Sequence, residues 1–198
     1  MISRAQLYSE CMNQESVNKS VAVFCASANG SRPEYAAAAD ELGRALAERG
    51  IGLIYGGGKT GLMGAVADGA LAAGGYVVGV IPHVLVDLEV AHDGVSELHV
   101  TSTMHTRKAL MAERADAFIV LPGGYGTLEE MYEVLAWQTL KIHSKPVVLL
   151  NVAGFYDKML AFLDACDQEG MLRGNRGILL VAESVLVILK ASLMKQKI

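Results

Sequence analysis

The chain has 198 residues, 52% of them hydrophobic and 19% charged, with a formal net charge of -4 at pH 7. That length predicts a single domain with a sizeable core, and the acidic balance excludes a general attraction to nucleic acid or anionic membrane while permitting a local cationic pocket. No apolar run reaches the ~18–20 residues that span a bilayer, and the cysteines Cys11, Cys25 and Cys166 are odd in number and far apart, so a cytoplasmic protein in a reducing compartment is expected.

Residues 1–18 mix Ser, Asn, Gln and Glu without sustained periodicity and are expected to form a loosely ordered leader, leaving 19–198 as the domain. Val21-Ala22-Val23-Phe24-Cys25 reads as a strand and Ala26 to Gly30 as its loop. Ser31-x-x-Glu34, with Pro33 in the first turn, opens a helix that runs through Tyr35, Ala38, Leu42 and Leu46 to a stop at Gly50. A second strand, Gly52 to Tyr55, enters the glycine-rich turn Gly56-Gly57-Gly58-Lys59-Thr60-Gly61-Leu62-Met63-Gly64, followed by a helix from Ala65 to Ala73. Tyr76 to Ile81 is the third strand. The connection from His83 to Glu97 is irregular and carries Asp87, Glu89, His92 and Asp93.

A short strand at Glu97 to Val100 then leads to a helix from about Thr103 to Ala115. The strand Ala117 to Leu121 runs into Pro122-Gly123-Gly124-Tyr125-Gly126-Thr127 and a helix ending near Ile142. Lys145 to Leu150 is a buried-strand pattern, Phe155 to Glu169 a helix, Ile178 to Val181 a last strand, and a C-terminal helix is expected after it. Continuous apolar strands alternating with helices predict an α/β fold, a parallel sheet covered on both faces with the loops after its strands along one edge.

Two stretches carry candidate chemistry. In Leu121 to Glu130, glycines permit close backbone approach and the first N–H groups of the following helix face whatever anion lies before them, which points to a phosphate-bearing ligand. Thr127-x-x-Glu130 equally spells a capping box that binds nothing. Gly56-x-Gly58-x-x-Gly61 matches a dinucleotide fingerprint only by spelling, because no acidic residue ends the next strand. Gly58-Lys59-Thr60 imitates a P-loop, but Leu53 stands where its earlier glycine belongs. A general phosphate or nucleotide cradle survives beside a merely tight turn.

Arg107 and Lys108 fall near a helix N-terminus, where a cation is disfavoured by ~0.3–1 kcal/mol unless an anion meets it. Lys108 with Arg114 also fits a solvated basic face. His83, His92, His99, His105 and His143 lack metal-ligand spacing, and no G-x-S-x-G elbow occurs, so no metal is expected.

As an ordered set, Gly56-Gly57-Gly58-x-x-Gly61-Leu62-Met63-Gly64, Met104-His105-x-Arg107-Lys108 and Pro122-Gly123-Gly124-x-Gly126-Thr127-x-x-Glu130 resemble the Lonely Guy (LOG) family of cytokinin riboside 5'-monophosphate phosphoribohydrolases, long mislabelled as lysine decarboxylases. The resemblance implies a Rossmann-like doubly wound sheet, a homodimer where some branches of the family form hexamers, and cofactor-free cleavage of a nucleoside 5'-monophosphate into free base and ribose 5-phosphate. It places the catalytic pair on Arg107 and Glu130. Phosphate and ribose contacts fall on Gly123, Gly124, Tyr125, Gly126, Thr127, Leu128, Glu129 and Lys108, with Ser27, Gly57 and Gly58 in the cradle and Glu89 as a substrate contact.

One departure is Thr103, where family members commonly carry an acidic residue. Threonine can cap the helix but brings no negative charge. The family's glycine loops are shared with nucleotide and molybdenum-cofactor carriers, so general AMP hydrolysis and cargo binding without turnover stand as alternatives.

Overall fold

A computed structural model describes residues 19–86, 88 and 90–187. The expected leader, most of the expected C-terminal helix and Glu89 lie outside them. Val21, Ala22, Val23 and Phe24 are all buried, as a strand covered on both sides must be. Strand alternation divides them: Val21 and Val23 enter one apolar cluster, Ala22 and Phe24 another.

Among the described residues seven strands form one sheet: β1 (Lys19–Phe24), β2 (Ile51–Tyr55), β3 (Val77–Pro82), β4 (Glu97–Thr101), β5 (Ala117–Val120), β6 (Val147–Leu150) and β7 (Leu179–Ala182). Their order is β4-β3-β2-β1-β5-β6-β7, and every pairing is parallel. The first cluster is closed by α1 (Pro33–Ala47) and α2 (Gly61–Ala72), through Leu42, Leu46, Leu62 and Val66. The second is closed by α3 (Met104–Arg114), α4 (Tyr125–Thr139) and α5 (Asp157–Gln168), through Met111, Met131, Val134 and Leu163. This is the doubly wound α/β fold.

The strand order identifies the site. From β1 the chain builds outward to β4, then returns to lay β5 against the other side of β1. At that reversal the loops after β1 and β5 diverge onto opposite faces and leave a crevice between them, where ligands of such sheets bind.

Helix starts differ from the sequence expectation in two places. Ser31 does not cap α1; Arg32 is the N-cap, without a side-chain bond, and the fixed φ of Pro33 begins the helix. The Thr127-x-x-Glu130 capping box does not form either. Gly124 is the N-cap of α4, in a conformation with φ -95° and ψ -146°, and its carbonyl accepts from the Leu128 N–H at 3.0 Å. Thr127 and Glu130 are therefore inside the helix, one turn further along than a cap and its box partner.

At the far end, α4 stops before Ile142. Lys141 takes φ 60°, its N–H donates to the Gln138 carbonyl and the Ile142 N–H to the Trp137 carbonyl. This is a Schellman stop with lysine in the place glycine usually takes. Thr103 does cap its helix, exchanging hydrogen bonds with Thr106 across the first turn of α3.

Candidate active site

The crevice is a cavity of about 420 Å³, within the ~300–1,000 Å³ range of small-ligand sites. Its wall is assembled from the loops after β1, β2, β3 and β5 and from helices α2, α3 and α4. The end of β1 supplies Cys25, Ala26, Ser27 and Ala28, the second glycine turn supplies Gly56, and α4 supplies Gly124, Tyr125, Gly126, Thr127 and Glu130.

Backbone bonds stitch these loops together. The Ala26 N–H donates to the Pro122 carbonyl at 3.2 Å, the Met63 N–H to the Ala26 carbonyl at 3.2 Å, and the Thr60 hydroxyl to the Ser27 carbonyl at 3.1 Å. Gly61 allows this approach: it has φ +62°, and an added Cβ would fall 2.2 Å from the Ser27 backbone.

The first turn of α4 opens onto the cavity. The N–H groups of its first residues have no carbonyl a turn earlier within the helix, and the helix dipole adds positive potential there. Gly124, Tyr125, Gly126 and Thr127 line the wall at that point, where a helix N-terminus has backbone donors that can meet an anion.

Arg107 and Glu130 meet beside it. Arg107 reaches the wall from the second turn of α3, and its residue is only 4% exposed. Nε donates to the Val80 carbonyl and Nη2 to the Gly56 carbonyl, each at 2.9 Å. Nη1 faces Met104 Sδ and lies 3.9 Å from Glu130 Oε1. Glu130 is 8% exposed. The guanidinium and the carboxyl group therefore face each other in a largely apolar enclosure.

The remaining expected residues separate into two groups. Ser27, Gly124, Tyr125, Gly126 and Thr127 line the cavity with Arg107 and Glu130. Gly57, Gly58, Lys108, Gly123, Leu128 and Glu129 do not. The Gly57 carbonyl accepts from the His92 N–H at 2.9 Å and Gly58 bridges Ala91, so this part of the turn is fastened to Ala91 and His92. Leu128 packs into the second apolar cluster.

Lys108 is not on a solvated face: its side chain is 8% exposed and its ammonium is bonded to Glu129 and, at 3.1 Å, to Glu133. Burial alone lowers its pKa, but the two carboxylates more than offset this and hold it above the ordinary lysine value.

Sequence reading of the site missed Cys25, Met63, Leu85 and Met104, which with Val23 form the apolar wall. Met63 and Met104 stood inside recognised motifs, yet an apolar residue at helical spacing carries no sign of whether it faces a core or a cavity. Among the described residues no group of three His, Cys, Asp or Glu is arranged to hold a metal ion, and no helix is long and apolar enough to cross a membrane.

Residues 63–190 match a family model described as "Possible lysine decarboxylase". The chain is 46% identical over 180 residues to the cytokinin riboside 5'-monophosphate phosphoribohydrolase LOG1 of Arabidopsis thaliana, a match covering 90% of this chain and 84% of that protein. The chain belongs to the LOG family. It is also 53% identical over 152 residues to the probable phosphoribohydrolase LOGL9 of Oryza sativa subsp. japonica, 77% of this chain and 67% of that one. The matched stretch spans 62% and 63% of the length of two further rice members of the LOG family. Among solved structures, the Moco Carrier Protein from Chlamydomonas reinhardtii superposes with a TM-score of 0.65 at 26% identity, covering 87% of this chain and 94% of that one.

Proposed function

We propose that the protein is an N-glycosidase that hydrolyses a nucleoside 5'-monophosphate, cytokinin riboside monophosphates included, to free base and ribose 5-phosphate. The observation that carries this reading is the burial of Glu130 beside Arg107 in a cavity onto which the α4 N-terminus opens. Membership of the LOG family supports it.

The chemistry divides among the residues as follows. Backbone donors at Gly124 to Thr127 take the 5'-phosphate, and that remote binding energy orients the sugar. As the bond from C1' to the base nitrogen lengthens, positive charge develops on the sugar ring, as in glycoside hydrolysis. Glu130 offsets that charge and accepts the proton of the attacking water as its oxygen bonds to C1'. The departing base carries away the bonding electron pair and is protonated from solvent. Arg107, whose Nη1 lies 3.9 Å from Glu130 Oε1, holds a substrate oxygen beside it. The apolar wall of Met63, Leu85 and Met104 receives the base.

Incubation with AMP and with isopentenyladenosine monophosphate, followed by chromatography of the products, tests the reading. Release of isopentenyladenine is expected. Release from AMP alone indicates a general AMP nucleosidase. Binding of both without release of base favours a nucleotide or molybdenum-cofactor carrier, the reading for which the 26% identical carrier structure speaks.

The same proposal takes the protein to be a cytoplasmic homodimer. The groove between α4 and the 171–179 segment, lined by Tyr132, Leu140 and Met171, supports self-association, and a monomer in sedimentation equilibrium would contradict it.

A further inference from the structure

We infer that Lys108 is a positioning residue that fastens α4 to α3 through Glu129 and Glu133 and thereby sets Glu130 against Arg107. The inference rests on the N-glycosidase reading and deepens it. Lys108 follows Arg107 directly in the chain, and Glu129 directly precedes Glu130. The fastener thus joins the backbone neighbours of the two reacting side chains.

Arg107 is already tied to the sheet by the carbonyls of Val80 and Gly56, so its position does not depend on α4. Glu130 has to be brought to it by the placement of α4. Part of that placement is apolar, since Met111 of α3 and Met131 of α4 share one cluster. Apolar contact is undirected. The ammonium of Lys108 adds direction: it reaches two carboxylates spaced i and i+4 on one stripe of α4, which fixes both the rotation and the height of that helix. Without the cation, Glu129 and Glu133 are like charges at a spacing where they repel.

Direct contact of Lys108 with the substrate phosphate, which the family resemblance implies, fits this arrangement poorly. The Lys108 side chain is 8% exposed and does not line the cavity. One ammonium with two carboxylates is a cluster of net charge -1, which repels a phosphate dianion.

The two roles differ in what they change. A positioning role acts on kcat, because misplacing a reacting group by ~1 Å costs ~10²-fold in rate. A phosphate contact acts on substrate affinity. The experiment compares the wild type, Lys108→Met, Lys108→Arg, the double variant Glu129→Gln/Glu133→Gln, and the triple variant with Lys108→Met added. Turnover is measured with the nucleoside monophosphate, and AMP and adenosine affinities by calorimetry.

Lys108→Met is expected to lower kcat ~10²-fold with KM changed by less than about threefold, and Lys108→Arg to recover most of the loss. In the double-glutamine background, Lys108→Met is expected to have no further effect, because its partners are gone. A KM raised tenfold or more at unchanged kcat, persisting in that background, overturns the inference.

If the wild type releases no base, the N-glycosidase reading fails and the fastener is decided by hydrogen exchange and affinity. Faster exchange across 125–139 in Lys108→Met and in the double variant, without addition in the triple, with AMP affinity retained, supports it. Unchanged exchange, or loss of AMP affinity with adenosine affinity kept, overturns it.

Discussion

Glu130→Gln is expected to lower the rate of base release by ~10²–10⁴-fold, the range a positioned general base supplies, while the protein folds and still binds the nucleotide. The amide has nearly the volume of the carboxylate, so the 8% exposed site is neither emptied nor overpacked. It cannot take a proton from water, and it brings no negative charge to a cationic sugar. Arg107 keeps its bonds to the Val80 and Gly56 carbonyls in the variant, and the fold is held by apolar clusters on both faces of the sheet. In the proposed mechanism the phosphate is taken by backbone donors at Gly124 to Thr127, which the substitution leaves in place.

Single-turnover release of base together with calorimetric AMP binding checks the prediction. Turnover within about tenfold of the wild type would reduce Glu130 to a charge partner of Arg107 and remove the observation on which the function rests. Glu129→Gln is the matched control. Its side chain is 53% exposed and outside the cavity, and Lys108 retains Glu133, so the expected loss is less than about tenfold.

The fold class was legible in the sequence because strands buried on both faces leave no polar alternation, and Val147-Val148-Leu149-Leu150 shows this as plainly as any stretch. Strand order was not. Whether β5 lies beside β1 or beyond β4 is decided by which apolar faces meet across nearly a hundred residues of chain, and no local pattern records that. The crevice between β1 and β5 follows from the order, so motif reading could name the loops without saying which of their residues share a wall.

Lys108 shows the same limit in electrostatic form. Next to Arg107 and before Arg114 its sequence position fits a phosphate contact or a solvated basic face, yet its two partners lie on another helix. The start of α4 is obscure in the sequence for a different reason. Thr127 and Glu130 have the spacing of a cap, but Gly124 takes that role, and a turn containing consecutive glycines gives weak local guidance about where helical geometry begins.

Gly56→Ala is expected to lower the rate of base release ~10²-fold through Arg107 rather than through the backbone. Gly56 is not among the glycines with positive φ, so alanine can adopt its conformation. The obstruction is spatial: an added Cβ would stand 2.2 Å from Arg107 Nη2 and 2.8 Å from Met63 Sδ. The same guanidinium nitrogen donates to the Gly56 carbonyl, so the methyl group and the hydrogen bond compete for one place. The guanidinium must withdraw, losing its hold on Gly56 and its alignment with Glu130. Overpacking of this kind costs ~1–3 kcal/mol of stability, which a domain of this size survives.

Arg107→Lys reaches a similar end by another route. The charge remains, but a single ammonium cannot reproduce a planar fork that spans two carbonyls and a carboxylate. If both substitutions act on one alignment, their combination is expected to be little worse than either alone, whereas independent effects would multiply. Base-release rates of the two single variants and the double variant make the comparison. A fully active Gly56→Ala would mean that the guanidinium works without its anchor on the second glycine turn, and that turn would then be left with no part in the chemistry beyond shaping the cavity wall.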